Sequence, residues 1–593
     1  MTKHITPMRF AMLLWLAVAA LSIALSFGAI MTQSTVDPDD ALRLVQVRDL
    51  LHGQGWWDIS QHRINPAAGG GLMHWSRIVD APLALGIAAF SPLLGQAMAE
   101  SLAMALWPLL LLAPLFWVVT RTGAALGDRR IAMLAPLLLA SNQLILFQFA
   151  PLRIDHHGWQ IALSGVLLLL ATLPASRRTG MLAGLAAATY LAISLEALPG
   201  VTMIAAIMAV EWWWSGGVAA RARLIAYLVT LCVAALMLQW VTRGPVGLSA
   251  TWCDALSLPY LAALGAAALV VVFGAPLVDR AAPGRLARAV CLGAGGLLSA
   301  ASLLLIAPSC AGGPFGTLDP IVTQYWYVHV REGLPLWSII DAMTGYMLAP
   351  TMVGLIGTTL AMRSATGEMR RRWLIVLAAL AAMALLSLLV MRVTAIAHLY
   401  AIPGTAFAAF YVWRWARGIA NAGLRILATM GILVVLPPTA GALAALAITA
   451  LPGATPALVA DDAAGHGCVD PPSLSALNAI EPTLLFAPLD VGPHILQRTR
   501  HSVMATAHHR NNAVMARVIT AFVGDASAAR QAIESSGAAL VVVCTSAAEF
   551  DNFRAASGDS LADQLATDRA PDWLESVPMP AGAGLTVWRI RRQ

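Results

Sequence analysis

The chain is short of charge, of lysine and of cysteine, and each shortage excludes something. Only 11% of its 593 residues are Asp, Glu, Lys or Arg, while 59% are hydrophobic and mean hydropathy is +0.73. Soluble globular domains carry roughly 25% charge, so this composition reads as a polytopic membrane protein. Lys3 is the one lysine, and arginine supplies nearly all of the positive charge behind the formal +6. Those arginines flank apolar runs instead of forming one basic face, which argues for topology and against nucleic acid as a partner. The first apolar run lacks a small-residue cleavage pattern and is expected to be a retained anchor. Internal repeats and low-complexity segments are missing as well, apart from Ala- and Leu-rich spans.

What is present is a series of apolar runs. Thirteen candidate helices of sixteen or more apolar residues start near residues 9, 97, 130, 159, 180, 199, 222, 258, 288, 346, 372, 394 and 425, several of them short for a bilayer span. Lys3 and Arg9 precede the first, and every second connection is again basic: 121–130, Arg177 with Arg178, Arg221 with Arg223, 280–288, 363–372 and 414–425. Basic loops stay cytoplasmic, so the N-terminus is expected inside. The other connections (32–96, 150–158, 196–198, 242–257, 307–345, 392–393 and everything after 451) then face outward. Long loops in compact proteins usually carry function, and the long ones here, 32–96 and 307–345, share this side.

Of six cysteines, Cys232 and Cys291 fall within spans, and Cys253, Cys310, Cys468 and Cys544 fall outside. An even number on an oxidising side predicts two disulfides, Cys253 with Cys310 and Cys468 with Cys544; four buried thiols are the alternative. Residues 451–593 mix Pro, Gly and Ala with charge. Strand-like runs at 483–486 and 538–543 and amphipathic stretches at 513–522 and 526–535 predict a small α/β domain there, after a membrane domain at 1–450.

Ionisable residues gather in the outward connections. Asp37-Pro38-Asp39-Asp40 opens an amphipathic stretch through Leu51 that is expected to lie at the membrane interface with Arg43 on its polar side. Asp39 and Asp40 are accounted for equally well as acids that complement a helix dipole. Trp56, Trp57, His74, Trp75, Arg77 and Asp80 follow, as interfacial anchors or as a grip on phosphate or sugar. Arg153-Ile154-Asp155-His156-His157 occupies a very short loop in which a carboxylate and imidazoles can share a metal. Tyr325 to Pro335 contains Arg331 and Glu332, and Glu196 sits at the outer end of a span, an acid at costly depth. Carboxylates converging on one membrane surface suit a divalent ion that acts on a phosphate-bearing substrate carried by lipid.

Together these motifs resemble the catalytic subunit of oligosaccharyltransferase, a C-type (GT-C) membrane glycosyltransferase with thirteen spans and a soluble extracytoplasmic domain. Asp37-Pro38 with Arg43 is similar to that family's first acidic motif, Asp155-His156-His157 to its second, and Val330-Arg331-Glu332 to its short motif in the fifth outer loop. The tail departs from the family: the Trp-Trp-Asp-Tyr-Gly acceptor signature is missing, and its nearest features are Leu489 to Pro493 and His508 to Asn511.

The resemblance implies a polytopic α-helical GT-C-like fold with a C-terminal α/β domain. The scarcity of lysine, the outward tail and the absence of organelle sorting signals point to a bacterial inner membrane with the tail periplasmic. It implies Asp37, Asp155 and Glu332 as catalytic residues, holding Mn²⁺ or Mg²⁺ with His157. Arg43, Arg331, Arg392, His508, His509 and Arg510 are the expected phosphate-binding residues. The donor would be a polyprenyl-linked sugar, and the acceptor a protein, lipid or polysaccharide, with inversion at the sugar. Transfer of a single sugar from a polyprenyl monophosphate is the alternative, for which Asp39-Asp40 matters most; a transporter or flippase is a third reading.

Overall fold

The computed structural model describes residues 5–35, 37–451, 467–580 and 583–591. Helices dominate. Among the described residues ten are long and apolar enough to cross a membrane, or eleven if the bent pair Ala422–Val435 and Pro437–Thr449 is one span. This is a multi-pass membrane protein.

All thirteen apolar runs fall on helices, with differences at the edges. Three make short helices, Arg129–Ala140, His157–Thr172 and Arg177–Ile193, of 12, 16 and 17 residues. The last run is broken by 84°, at Pro437 and Pro438, where proline removes backbone donors. A further apolar helix, Arg77–Leu94, lies within the expected outer loop 32–96. Asp80 near its start pairs with Arg43 at 2.7 Å, and Glu100 in the first turns of the next helix, Gln96–Ala125, pairs with Arg48 at 2.7 Å, so this helix and the one after it are both tied to Pro38–Leu51.

Small residues let the spans approach closely, which association in lipid requires. A Cβ on Gly357 would collide with the carbonyl oxygen of Gly404. This contact presses Ala342–Ser364 against Thr394–Arg417, the helix that follows Arg392.

In the tail, β1 (Leu484–Phe486), β2 (Ser502–Val503), β3 (Leu540–Val543), β4 (Leu574–Val577) and β5 (Thr586–Ile590) form one sheet in the order β2-β1-β3-β5-β4. The β1 pairs are parallel, and those of β5 with β3 and β4 antiparallel. Helices Asn512–Val523 and Ala526–Glu534 match the amphipathic stretches. β2, β4 and β5 carry too little alternation to be read in advance. Both expected disulfides are formed, Cys253 with Cys310 and Cys468 with Cys544.

The tail interlocks with the first long connection. Val503 N–H donates to Arg63 O and Asn65 N–H to Val503 O, both at 2.9 Å. The Arg63 guanidinium donates to the carbonyls of Leu496 at 2.6 Å and Thr499 at 2.8 Å, and that of Arg48 to Gln497 O at 2.6 Å. These bonds satisfy the C-terminal carbonyls of Gly492–Arg498 and dock it on Pro38–Leu51. The latter helix is therefore covered by protein from Asp40 to Val47, and does not lie open at an interface as its amphipathic pattern suggested.

Candidate functional site

Asp37 caps Pro38–Leu51, its carboxylate accepting the Asp39 N–H at 2.9 Å. That fixes its other oxygen toward Arg153, which donates to it at 2.6 Å. The same Arg153 nitrogen donates to Asp40 at 2.8 Å, and its partner nitrogen to Asp155 at 3.1 Å. Asp40 is fully buried; its second oxygen accepts the backbone N–H groups of Ile154 and Asp155 at 2.7 and 2.9 Å. One arginine thus gathers three carboxylates, and one of these pins the loop that carries Asp155.

From Asp155 the cluster continues to Glu332. Asp155 accepts the His157 N–H at 2.9 Å, and His157 Nε2 lies 3.6 Å from Asp155 and 3.9 Å from Glu332. Arg392 binds Glu332 at 2.9 Å and also Glu196, whose other oxygen accepts from Gln160 at 2.9 Å. Asp37, Asp155, His157 and Glu332, distant in sequence, therefore share one site with Glu196 and Arg392.

The electrostatics favour a further cation. Six carboxylates (Asp37, Asp39, Asp40, Asp155, Glu196 and Glu332) face two guanidiniums, Arg153 and Arg392. Asp39, which has no ion pair among the described residues, registers the excess: burial and then Asp37, Asp155 and Glu332 push its carboxyl up to about 8. Asp155 has the opposite balance; against the cost of burial, His157 and Arg153 hold it well below the usual carboxylate range. His156, His157 and Glu196 offer ligand atoms within 4.8 Å of one another, and His156 Nδ1 is buried without a hydrogen-bond partner. These donor atoms fit a divalent metal ion.

A groove of about 740 Å³ opens beside the cluster. Its polar lining is Glu332, Arg331, Arg392, Gln148, Asn142, Gln143 and His398, and its apolar lining includes Leu144, Phe147, Met347, Pro350, Pro437 and Pro438. The broken helix contributes both Pro437 and Pro438.

Other expected binding residues are engaged elsewhere. Arg43 is buried 4.4 Å from the centre of the Trp75 ring and paired with Asp80. Arg331 lines the groove but bonds Asp341 at 2.7 Å. His509 and Arg510 both bind Asp254 at 2.7 Å, and His508 meets His74 at 2.8 Å, forming a separate junction between tail and loops. The Trp56 and Trp57 indoles donate to Val241 O, and Arg77 bonds Trp56 O at 3.1 Å and Asp80 at 3.2 Å, so that run builds its own loop. Sequence reasoning passed over Arg153 as a site member and gave Asp39 and Asp40 a role only in the alternative single-sugar reading. The available signal was an arginine two residues before Asp155 in a loop too short to hold its own counter-charges.

Among solved structures the chain is similar to the archaeal oligosaccharyltransferase AglB from Archaeoglobus fulgidus, in complex with an inhibitory peptide and a dolichol-phosphate. The TM-score is 0.68 at 14% identity, over 95% of this chain and 72% of that chain. The chain shares the fold of this archaeal enzyme. A structure of the Archaeoglobus fulgidus enzyme described as a complex with Zn and sulfate matches at a TM-score of 0.60 and 14% identity, over 95% of this chain and 71% of that one. A third, tethered to an acceptor peptide containing an NVT sequon, matches at 0.61 and 13%, over 96% and 73%. No protein-family model and no curated protein matches the sequence.

Proposed function

We propose that this protein is a glycosyltransferase that moves a sugar or oligosaccharide from a polyprenyl-phosphate or diphosphate carrier to an extracytoplasmic acceptor, with inversion at the sugar carbon. The groove carries the reading. It joins an apolar channel, suited to a prenyl chain, to a mouth with Arg392 and Arg331 near the acid cluster, and guanidinium suits bidentate phosphate contacts. Mn²⁺ or Mg²⁺ held by Asp37, Asp155, His157 and Glu332, with Asp39 and Glu196 beside them, would neutralise charge developing on the departing phosphate.

The chain's own residues divide the remaining work. Arg392, anchored by Glu332 and Glu196, orients the phosphate. Asp37, about one-third exposed while Arg153 holds one of its oxygens, orients the acceptor nucleophile. Asp37 or Asp39 then takes its proton.

We assign 1–450 to a membrane catalytic domain and 451–593 to a periplasmic α/β domain in a bacterial inner membrane, N-terminus inside. The alternating basic connections support that orientation, as do two disulfides in connections assigned to the oxidising side. The helix Arg77–Leu94, its start tied to Pro38–Leu51 through Asp80 and the start of the next helix tied there through Glu100, then stays on the outer side.

Asp39 and Asp40 within the cluster favour a second reading, single-sugar transfer from a monophosphate carrier. The cell-envelope glycans, glycolipids and glycoproteins of a deletion strain and an Asp37→Asn strain test the assignment; loss of the same product in both is expected, and unchanged profiles in both would defeat it. Purified protein offered monophosphate-linked and diphosphate-linked donors separates the two readings.

A further inference from the structure

A second groove, of about 680 Å³, lies between the helices Arg129–Ala140 and Thr394–Arg417 and the first arm of the broken pair. Its floor is Met133, Leu134, Ala409, Phe410 and Ile432, and Trp413 stands at its rim, 40% exposed. The volume falls within the roughly 300–1,000 Å³ of small-ligand sites. Phe410 and Trp413 follow Thr394 by 16 and 19 residues. At about 1.5 Å per residue that places the groove roughly 24–29 Å along the helix from Thr394, which follows Arg392 closely, nearly the thickness of a bilayer's hydrocarbon core, and so at the opposite membrane surface from the acids.

Arg129 and Arg130 stand at its mouth, both exposed and neither ion-paired among the described residues. Arg129 donates to Ile5 O at 3.2 Å, and the Arg130 guanidinium lies 4.5 Å from the centre of the Phe410 ring. Asp128 also lines the mouth, but its carboxylate caps the helix by accepting the Arg130 backbone N–H at 2.7 Å. The three side chains leave a net positive mouth above an apolar floor.

We propose that this groove binds one anionic phospholipid, its phosphate at Arg129 and Arg130 and an acyl chain along Phe410 and Ile432. Arginines that serve only to orient a span need no groove beneath them. A lipid phosphate with its chain matches both halves of the site, and the leaflet supplies it at the right depth. The inference is independent of the proposed transferase activity.

Native mass spectrometry of the purified full chain in an equal mixture of phosphatidylglycerol and phosphatidylcholine provides the test. The wild-type protein is expected to retain one phosphatidylglycerol in at least tenfold preference. Arg129→Gln with Arg130→Gln should abolish that preference, and so should Ile432→Trp, which fills the floor with both arginines intact. Phosphatidylglycerol should raise the unfolding temperature of wild type but of neither variant; unfolding in phosphatidylcholine alone verifies that each variant folds. Equal retention of the two lipids by wild type would overturn the proposal. So would full preference in folded Ile432→Trp protein, which means surface charge without a chain site, or equal stabilisation by glycerol phosphate, which means a headgroup site alone.

Discussion

The Arg153 guanidinium donates to the buried carboxylate of Asp40 at 2.8 Å, while the other oxygen of Asp40 holds the backbone of Ile154 and Asp155. Removing one partner of a buried pair strands the other, at about 3–5 kcal/mol. Arg153→Ala should therefore lower the unfolding temperature in detergent and abolish turnover, while Arg153→Lys keeps the charge and recovers part of the stability. A folded, fully active Arg153→Ala protein would remove Arg153 from the site.

Glu332 and Arg392 should act on the transfer step. Loss of one preorganised electrostatic group typically costs about 10²–10³-fold in rate. Glu332→Gln and Arg392→Gln are expected to lower kcat by that order in donor-consumption assays, Arg392→Gln also raising KM for the donor. Wild-type kinetics in both would refute the groove as the donor site.

Metal dependence is the third expectation. Chelation should stop turnover and Mn²⁺ restore it at lower concentration than Mg²⁺. Substitutions around a metal typically cost about 10–100-fold in affinity, so His157→Ala should weaken Mn²⁺ binding, read by calorimetry on the apoprotein, by at least that order. Chelator-resistant turnover by metal-free protein would count against the centre.

The tail disulfide should matter for stability. Cys468 and Cys544 close a separation of 76 residues, and a loop of that length is worth about 4 kcal/mol on the chain-entropy account. Cys468→Ser with Cys544→Ser is expected to lower the unfolding temperature by several degrees and to raise proteolysis within 467–591. Unchanged melting would show that the sheet holds without it.

Acidity enters through Asp490, whose carboxyl is pushed up to about 6 by burial and by Asp37. A carboxyl whose folded value lies above its unfolded value, about 4, binds more protons folded than unfolded in that window. Stability from this group is therefore present at low pH and lost as pH rises from about 4 to 6. Asp490→Asn should remove that component, so the variant gains on wild type at pH 7.5 relative to pH 4.5. Parallel melting curves for the two proteins would refute the burial of Asp490 against Asp37.

Much of this was legible beforehand because bilayers impose simple rules. Apolar runs located the helices, since a chain in lipid must satisfy its backbone hydrogen bonds within each segment. Asp37, Asp155, His157 and Glu332 stood out because ionisable groups at span ends are costly to keep. Arg43 and the His508 to Arg510 run were expected at phosphate; Arg43 is instead consumed by Asp80 and Trp75, and His509 and Arg510 by Asp254. Only folding reveals such partners, because a side chain's availability depends on what lies opposite it.

The sequence by itself determined the class of protein, most of its apolar helices and the acids worth attention, because each follows from local composition or from parity along the chain. The tertiary structure alone decided which cysteines pair, that Arg153 gathers Asp37, Asp40 and Asp155, that Arg392 joins Glu332 to Glu196, and that a bent helix lines a groove beside them. Hydrogen bonds and ion pairs between loops more than a hundred residues apart depend on separations of a few ångströms. Local pattern carries no record of those distances.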